Sequence, residues 1–291
     1  MIADLFSIIA PVLFGVAVGY AWTKFGRPFD TAFATSLVFN IGTPLLVFAT
    51  LTELKIDPAA FGEIALVALT ALIGFIVLAF VVLKIAGLSL PTYWPSVTMP
   101  NSGNMGLPLC FLAFGQEGLG IGIIVYTVIS MGQFTFSVAV STGSLSLREL
   151  TRIPLIYTAV AALAVMAFDY EVPNWLANTA SIYGQLVIPL MLIALGVSLA
   201  SLKPAGLPRS LALSVARFAI GLGVGVVVVE FFDLEGVARG VVILQSAMPA
   251  AVFNYMLALR YDNDPPEVAG LIITSTLISF ITLPGLLLFV L

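Results

Sequence analysis

One stretch of eleven residues, 98–108, interrupts an apolar segment of the chain and limits what that segment can form. Its sequence is Thr-Met-Pro-Asn-Ser-Gly-Asn-Met-Gly-Leu-Pro, with two prolines, two glycines and two asparagines. A proline inside a helix removes a backbone donor and clashes with the preceding turn. Each interior glycine costs about 1 kcal/mol relative to alanine. The sequence therefore predicts a helix that is broken within this stretch.

The rest of the chain is strongly apolar, because 60% of its 291 residues are hydrophobic and only 9% are charged. A helix that crosses a bilayer needs roughly 20 apolar residues, and ten such segments can be placed. The predicted spans are 4–23, 31–52, 60–84, 92–114 (broken), 118–141, 153–169, 175–201, 209–232, 237–259 (broken) and 267–290. We therefore expect an all-α membrane protein with ten transmembrane helices, embedded in a lipid bilayer.

The two broken spans predict a binding site. Irregular backbone at membrane depth persists only where it is buried in protein or lines a cavity, and in transporters such breaks form substrate sites. The second break, 245–255, also carries Met-Pro, at Met248 and Pro249. Helix N-termini at the breaks carry partial positive charge and free N–H groups, which suit an anion such as a carboxylate. The alternative is that the prolines only kink two packed helices.

The predicted site combines residues of both breaks with polar neighbours: Pro100, Asn101, Ser102, Gly103, Asn104, Gln245, Pro249, Ala250, Asn254, Thr43 and Gln133. Arg217 is the only basic residue well inside a predicted span. An ionisable group there suggests function, but a long side chain can also reach back to the interface, and both interpretations stay open. Gly15, Gly19, Gly221, Gly223 and Gly225 are predicted to be helix-packing positions.

The chain divides into two similar halves, 1–141 and 153–291, joined by a linker at 142–152. Pro11 matches Pro154 and Met99-Pro100 matches Met248-Pro249, at offsets of 143 and 149 residues. Each half has five predicted spans, an odd number, so the second half enters the membrane from the opposite side. This is an inverted repeat, in which broken spans 4 and 9 run antiparallel and cross.

The basic residues predict the orientation. Eight of the eleven Lys and Arg residues lie in the loops after spans 1, 3, 5, 7 and 9, and two lie on the other side. Because basic loops stay in the cytoplasm, we expect the linker inside and both termini outside the cell (inner) membrane.

Enzymatic function has no support in the sequence. There is no histidine and one cysteine, Cys110, and no nucleotide-binding or nucleophile–base motif is present. We expect no cofactor, no metal site and no nucleic-acid partner.

Residues 100–108, Pro-Asn-Ser-Gly-Asn-Met-Gly-Leu-Pro, resemble the fourth-span signature of the auxin efflux carrier family. That family includes plant auxin carriers and bacterial permeases associated with malonate or malate. The resemblance covers the whole chain and implies a fold similar to that of bile-acid sodium symporters and NhaA-type antiporters. It also implies a scaffold of spans 1, 2, 6 and 7, a moving transport domain of spans 3–5 and 8–10, homodimerisation through the scaffold, and elevator-type alternating access.

The resulting hypothesis is a secondary transporter of small organic anions, such as malonate, malate or auxin-like acids. One alternative is a sodium-coupled symporter of the bile-acid type. Neither break contains an acidic residue, so uniport or proton coupling is favoured over a dedicated sodium site. The other alternative is a channel or receptor-like membrane protein.

Overall fold

The computed structural model describes residues 2–54, 57–144 and 153–291, and these residues are almost entirely helical. They contain no strand beyond a single isolated bridge. The α-helices are α1 (Ile2–Lys24), α2 (Thr31–Leu37), α3 (Thr43–Leu54), α4 (Pro58–Ile85), α5 (Leu90–Thr98), α6 (Leu107–Gly132), α7 (Val138–Thr142), α8 (Pro154–Ala167), α9 (Asn174–Gln185), α10 (Val187–Ser201), α11 (Leu207–Phe231), α12 (Gly236–Ser246), α13 (Phe253–Tyr261) and α14 (Pro265–Val290). Three π-helical turns, Val38–Gly42, Ser102–Gly106 and Gln133–Ser137, run directly into the helices that follow them. The predicted all-α class is confirmed.

Seven helical segments within the described ranges are long and apolar enough to cross a membrane. They are Leu5–Lys24, Thr31–Leu54, Ala59–Ile85, Ser102–Thr142, Asn174–Ser201, Leu207–Phe231 and Pro265–Val290. Helix α8 is also apolar but has only 14 residues. The two predicted broken spans are indeed interrupted, after Thr98 and after Ser246. The chain is therefore a multi-pass membrane protein.

The longest segment, Ser102–Thr142, is not straight, because its backbone reverses at Gly115. This residue has φ 66° and ψ −152°, a conformation that essentially only glycine adopts. A Cβ atom on Gly122 would lie 3.2 Å from the Cβ of Cys110, although residues twelve apart in a straight helix are separated by about 18 Å. The segment is thus a helical hairpin, and its tip falls between the predicted spans 92–114 and 118–141.

The helices pack in two groups. In the first packing group α1 lies along α10, and α3 lies against α8 and α9. In the second packing group α11 contacts α14, α12 and α4, and α6 contacts α4 and α12. The groups meet where α3 and α10 face α6 and the turn Ser102–Gly106.

Glycines allow the closest approaches between helices. Gly15 and Gly19 of α1 have no room for a side chain against α10, which confirms their predicted packing role. Gly221 and Gly225 of α11 likewise lie against Ser246, at the end of α12. No atom of the described residues lies within 4 Å of the Cβ position of Gly223, so Gly223 is not a packing position within this part of the chain. It lies on the opposite face of the helix, because residues two apart on a helix point in different directions.

A polar cluster joins α5, α11 and α14 near their starts. The Tyr93 hydroxyl of α5 donates to Glu267 Oε2 of α14 at 2.8 Å, and Arg209 Nη1 of α11 donates to the Tyr93 oxygen at 2.9 Å. Arg209 also forms an ion pair with Glu267 at 3.7 Å. These contacts hold the starts of α11 and α14 against α5.

Candidate binding site at the crossing of two broken helices

The two breaks meet and pair with each other through their backbones. The N–H of Asn101 donates to the carbonyl of Pro249 at 2.7 Å, and the N–H of Ala251 donates to the carbonyl of Met99 at 3.0 Å. Pro100 and Ala250 lie opposite each other in this short antiparallel bridge. The bridge satisfies backbone groups that would otherwise be unpaired in the interior, each at a cost of several kcal/mol.

Pro100 occupies a position of the bridge at which an N–H is not needed, whereas Pro249 occupies one at which an N–H would donate. Pro100 and Ala250 form a non-hydrogen-bonded pair, so neither residue has to donate across the bridge. The N–H of Ala250 points away and donates to Ser275 Oγ of α14 at 3.1 Å. Pro249 has no N–H to return to Asn101, and the Asn101 carbonyl instead accepts from Met105 at 3.3 Å and Gly106 at 3.1 Å. Because the Asn101 carbonyl has no donor across the bridge, it is free to accept the first hydrogen bonds of the next helical turn.

Beyond the bridge, the turn Ser102–Gly106 begins the next helix. The first N–H groups of a helix have no acceptor inside it. Those of Ser102, Gly103 and Asn104 have no hydrogen-bond acceptor in the described part of the chain. The Asn101 side chain precedes this turn, is only 4% exposed, and its Nδ2 atom also lacks a partner among the described residues. Unpaired donors therefore collect at one helix start.

A cavity of about 580 Å³ is lined by residues 100–104 at this helix start, and we call it the crossing cavity. Its volume is in the range of small-molecule sites. Both packing groups line it, and none of the described residues that line it is charged. Its polar lining residues are Thr31, Thr35, Ser36, Asn40, Asn101, Ser102, Asn104, Tyr126, Ser130, Gln133, Ser198, Ser201 and Tyr255. The wall can thus donate several hydrogen bonds without a competing carboxylate.

A larger cavity, of about 770 Å³, lies at the ends of α3 and α8 and the start of α9. Four carboxylates line it, those of Glu53, Asp57, Asp169 and Glu171. Such a wall repels an anion, and this cavity is remote in sequence from both breaks. The crossing cavity is therefore the better candidate for an anion site.

The structure brings six of the eleven predicted site residues to the wall of the crossing cavity: Pro100, Asn101, Ser102, Gly103, Asn104 and Gln133. The other five do not line it: Thr43, Gln245, Pro249, Ala250 and Asn254. Pro249 and Ala250 belong to the bridge, and Thr43 is buried beside the wall at 1% exposure. The predicted set is therefore divided between the wall and the structure behind it.

Gln245 and Asn254 lie behind the wall. Gln245 is fully buried against Gly106 and Gly122, with Nε2 3.5 Å from the Gly122 carbonyl. Asn254 Oδ1 accepts from Gln133 Nε2 at 2.8 Å, while Asn254 Nδ2 donates to the Pro95 carbonyl at 3.3 Å. Asn254 therefore orients the Gln133 amide and does not itself line the cavity.

Sequence reasoning missed two parts of the wall. Ser198 and Ser201 of α10 both line the cavity, and their spacing of three residues, which places both on one helix face, was the available signal. The rings of Phe39, Phe134 and Phe253 form a row with centroids 5.1 Å apart at each step. These three rings come from distant parts of the chain, and no local pattern indicates that they meet.

Comparison with known proteins decides the family. A family model described as a membrane transport protein matches residues 136–287, just over half of the chain. The chain belongs to this family, the auxin efflux carriers. The resemblance seen in residues 100–108 is thereby confirmed by a match that lies outside those residues.

Two relatives of this carrier-family protein match almost end to end. One, from Methanocaldococcus jannaschii, is 22% identical and covers 95% of this chain and 96% of its own length. The other, from Methanothermobacter thermautotrophicus, is 26% identical and covers 95% of each chain. Both are called uncharacterized transporters. The similarity therefore extends over both halves of this membrane transport protein.

Arg217 of this family member does not reach back to the interface, so that interpretation is wrong. Its side chain is 1% exposed, and its guanidinium donates to backbone carbonyls behind the crossing. The sequence places Arg217 about two turns into a span, a depth that fits either direction. Gly221, one turn further along α11, decides the direction of the Arg217 side chain. Because Gly221 has no side chain, α12 approaches closely and offers its carbonyls to the guanidinium.

Proposed function

We propose that this protein is a secondary transporter of small organic anions, such as malonate, malate or auxin-like acids, and that it binds them in the crossing cavity. The observation that carries the proposal is the buried, unpartnered Nδ2 of Asn101 beside the unpaired N–H groups at the start of the turn Ser102–Gly106. A bound carboxylate would accept from these donors. Hydrogen bonds to a charged group are roughly twice as strong as neutral ones.

The cavity wall supports an anion rather than a cation as the ligand. No lining residue in the described part of the chain carries a charge, so none of them offers a carboxylate to a cation. The partial positive charge of a helix N-terminus favours anions. The phenyl rings of Phe39, Phe134 and Phe253 supply an apolar side, against which the carbon skeleton of an organic acid can pack.

The proposed architecture is the ten-span inverted repeat, with its halves at 1–141 and 153–291. The antiparallel bridge between Pro100 and Ala250 supports it, because corresponding spans of an inverted repeat run in opposite directions. Helices α5 and α12 both end where the bridge begins. We place both termini outside the cell membrane, in keeping with the distribution of Lys and Arg.

The proposed mechanism is elevator-type alternating access. Two observations support it: the helices pack in two groups, and the crossing cavity lies between them. Asn101, Asn104 and Gln133 come from the second packing group, whereas Asn40 and Ser198 come from the first. A movement of the second group along the first would carry the Asn101 donors with it and change the opposite wall. Homodimerisation through the first group would hold that group still.

A ligand-induced shift in thermal stability tests the proposal. Purified protein is heated with malonate, malate or indoleacetate, and in parallel with the neutral amides malonamide and indoleacetamide at the same ionic strength. A ligand at 100 times its dissociation constant stabilises the folded state by about 2.7 kcal/mol. We expect at least one acid to raise the melting temperature and its amide to have no effect. Equal shifts for acid and amide would contradict an anion site.

Transport in vesicles separates a carrier from a channel. Protein reconstituted into liposomes that are loaded with the stabilising acid should take up the labelled acid by counterflow, and the rate should saturate. Ohmic single-channel currents carried by that acid would contradict the carrier.

A further inference from the structure

Arg217 lies on the face of α11 that packs against the end of α12. Gly221 and Gly225 follow it at intervals of four residues, so all three share one helix face. A Cβ on Gly221 would collide with the carbonyl oxygen of Ser246, and one on Gly225 would lie 2.9 Å from the Ser246 Cβ. The backbones therefore touch here, and the Arg217 side chain reaches the crossing from behind.

The Arg217 guanidinium contacts the C-terminal ends of α5 and α12, the two helices that precede the breaks. Its Nη2 donates to the Ser246 carbonyl at 2.8 Å, and its Nε donates to the Met248 carbonyl at 3.3 Å, both at the end of α12. Its Nη1 donates to the Val97 carbonyl at 3.4 Å, in the last turn of α5. The Phe75 ring lies beneath it, 5.0 Å from the guanidinium carbon. Each of the three nitrogens thus has a carbonyl partner.

These carbonyls form a site for positive charge. The last carbonyls of a helix have no partner within it, and they carry the negative end of the helix dipole. In transporters with discontinuous helices, such C-terminal ends and unwound carbonyls coordinate the coupling sodium ion. Arg217 forms no ion pair with an Asp or Glu within residues 2–54, 57–144 and 153–291, so carbonyl dipoles and the Phe75 ring are its partners there.

We propose that Arg217 is the resident cation of the crossing: its guanidinium permanently occupies the carbonyl site at the ends of α5 and α12, so that anion binding needs no sodium ion there. This inference rests on the proposed function for its anion, but the carbonyl site itself does not depend on it. Met248, which accepts from Arg217, precedes Pro249, whose carbonyl accepts from Asn101. The fixed positive charge therefore lies directly behind the anion donors and favours an acid over its neutral amide.

The first experiment tests the carbonyl site without any anion. Arg217→Ala empties the site, and thermal unfolding is measured in choline chloride, with and without low concentrations of guanidinium or sodium chloride. Guanidinium should raise the melting temperature of Arg217→Ala by about 3 °C or more at ten times its dissociation constant, and sodium should raise it by less.

Arg260→Ala is the control, because Arg260 is exposed and has no carboxylate partner among the described residues. Neither cation should stabilise Arg260→Ala or the wild type. An Arg217→Ala protein that responds to guanidinium and sodium no more than Arg260→Ala does would overturn the resident-cation proposal.

The second experiment tests the charge itself and remains available if Arg217→Ala does not fold. Arg217→Lys keeps the charge and Arg217→Gln removes it, while both keep a side-chain N–H donor. With the acid that stabilises the wild type as probe, the wild type and Arg217→Lys should bind equally in sodium and in choline. Arg217→Gln should bind at least tenfold more weakly in choline. A steep sodium requirement of the wild type, or Gln binding as tightly as Lys, would overturn the proposal.

The two proposals fail in different ways. If no acid in the panel binds, the proposed function fails, but the guanidinium response of Arg217→Ala is still measured. If acids bind and Arg217→Ala shows no guanidinium response, the anion site stands and the resident cation is refuted.

Discussion

Replacing Gly221 by alanine tests the close approach of α11 and α12, and the chain provides its own control. A methyl group on Gly221 would fall on the Ser246 carbonyl oxygen, which also accepts from Arg217 Nη2 at 2.8 Å. Gly223 is two residues further along the same 25-residue helix, and no atom of the described residues lies within 4 Å of its Cβ position. Gly223→Ala therefore makes the same chemical change in the same helix without the collision.

The expected changes in the free energy of unfolding, relative to the wild type, differ in sign between the two variants. Alanine in a helix interior gains up to about 1 kcal/mol over glycine, and at Gly223 this is the only effect. At Gly221 overpacking costs about 1–3 kcal/mol, and displacing Ser246 weakens a hydrogen bond to a charged group worth about 1.5–3 kcal/mol. Subtracting the helix gain leaves Gly221→Ala less stable by about 1.5–5 kcal/mol.

Thermal unfolding of both variants in one detergent measures the difference. Gly223→Ala should melt at or above the wild-type temperature, and Gly221→Ala well below it. The sodium-free binding of the stabilising acid should also weaken in Gly221→Ala, because the guanidinium moves with the displaced carbonyl. If the two variants melt at the same temperature, α12 can move away freely, and the argument that Gly221 positions Arg217 is refuted.

Two further predictions concern the anion donors and the orientation. Asn101→Asp keeps the size of the side chain but replaces its free donor with a negative charge. Losing one charge-assisted hydrogen bond to the bound acid costs about 1.5–3 kcal/mol, or roughly ten- to 150-fold in affinity for that acid. Titration calorimetry should show at least this loss of affinity in a folded protein. Asn40→Asp is the control and should lose less affinity, because the Asn40 amide is already bonded to Ser36. Unchanged affinity in Asn101→Asp would exclude an anion site here. A cysteine at 146, which lies outside the described residues, should react with an impermeant maleimide only from the cytoplasm, and one at 291 only from outside; the opposite pattern would reverse the topology. Cys110 is buried and should give no background.

The helix breaks could be predicted because their causes are local. Pro100 and Pro249 remove donors from their own turns, and glycines and asparagines surround Pro100. The helix ends at Thr98 and Ser246 follow directly from this composition. The same local chemistry predicted the free donors of Asn101.

The partners of these residues could not be predicted, because each partner lies far away in the chain. Gln245 is as polar as Gln133, yet it packs behind the wall against two glycines, and only the rotation of α12 decides this. Asn254 is a candidate ligand by residue type but is engaged by Gln133. The direction of Arg217 depends on the position of Ser246, 29 residues further along the chain. Residue type indicated which groups are polar, while packing decided which of them stay unpaired.

The bridge between the two breaks also constrains how the chain is made. The Met99 carbonyl and the Asn101 N–H receive their partners from Ala251 and Pro249, about 150 residues later. Until the ribosome has delivered those residues, both groups are without their final hydrogen bonds, and an unsatisfied backbone group in lipid costs several kcal/mol. The first break therefore reaches its final hydrogen bonding only after the second break has been synthesised. This links the folding of residues 99–101 to the near-completion of the chain.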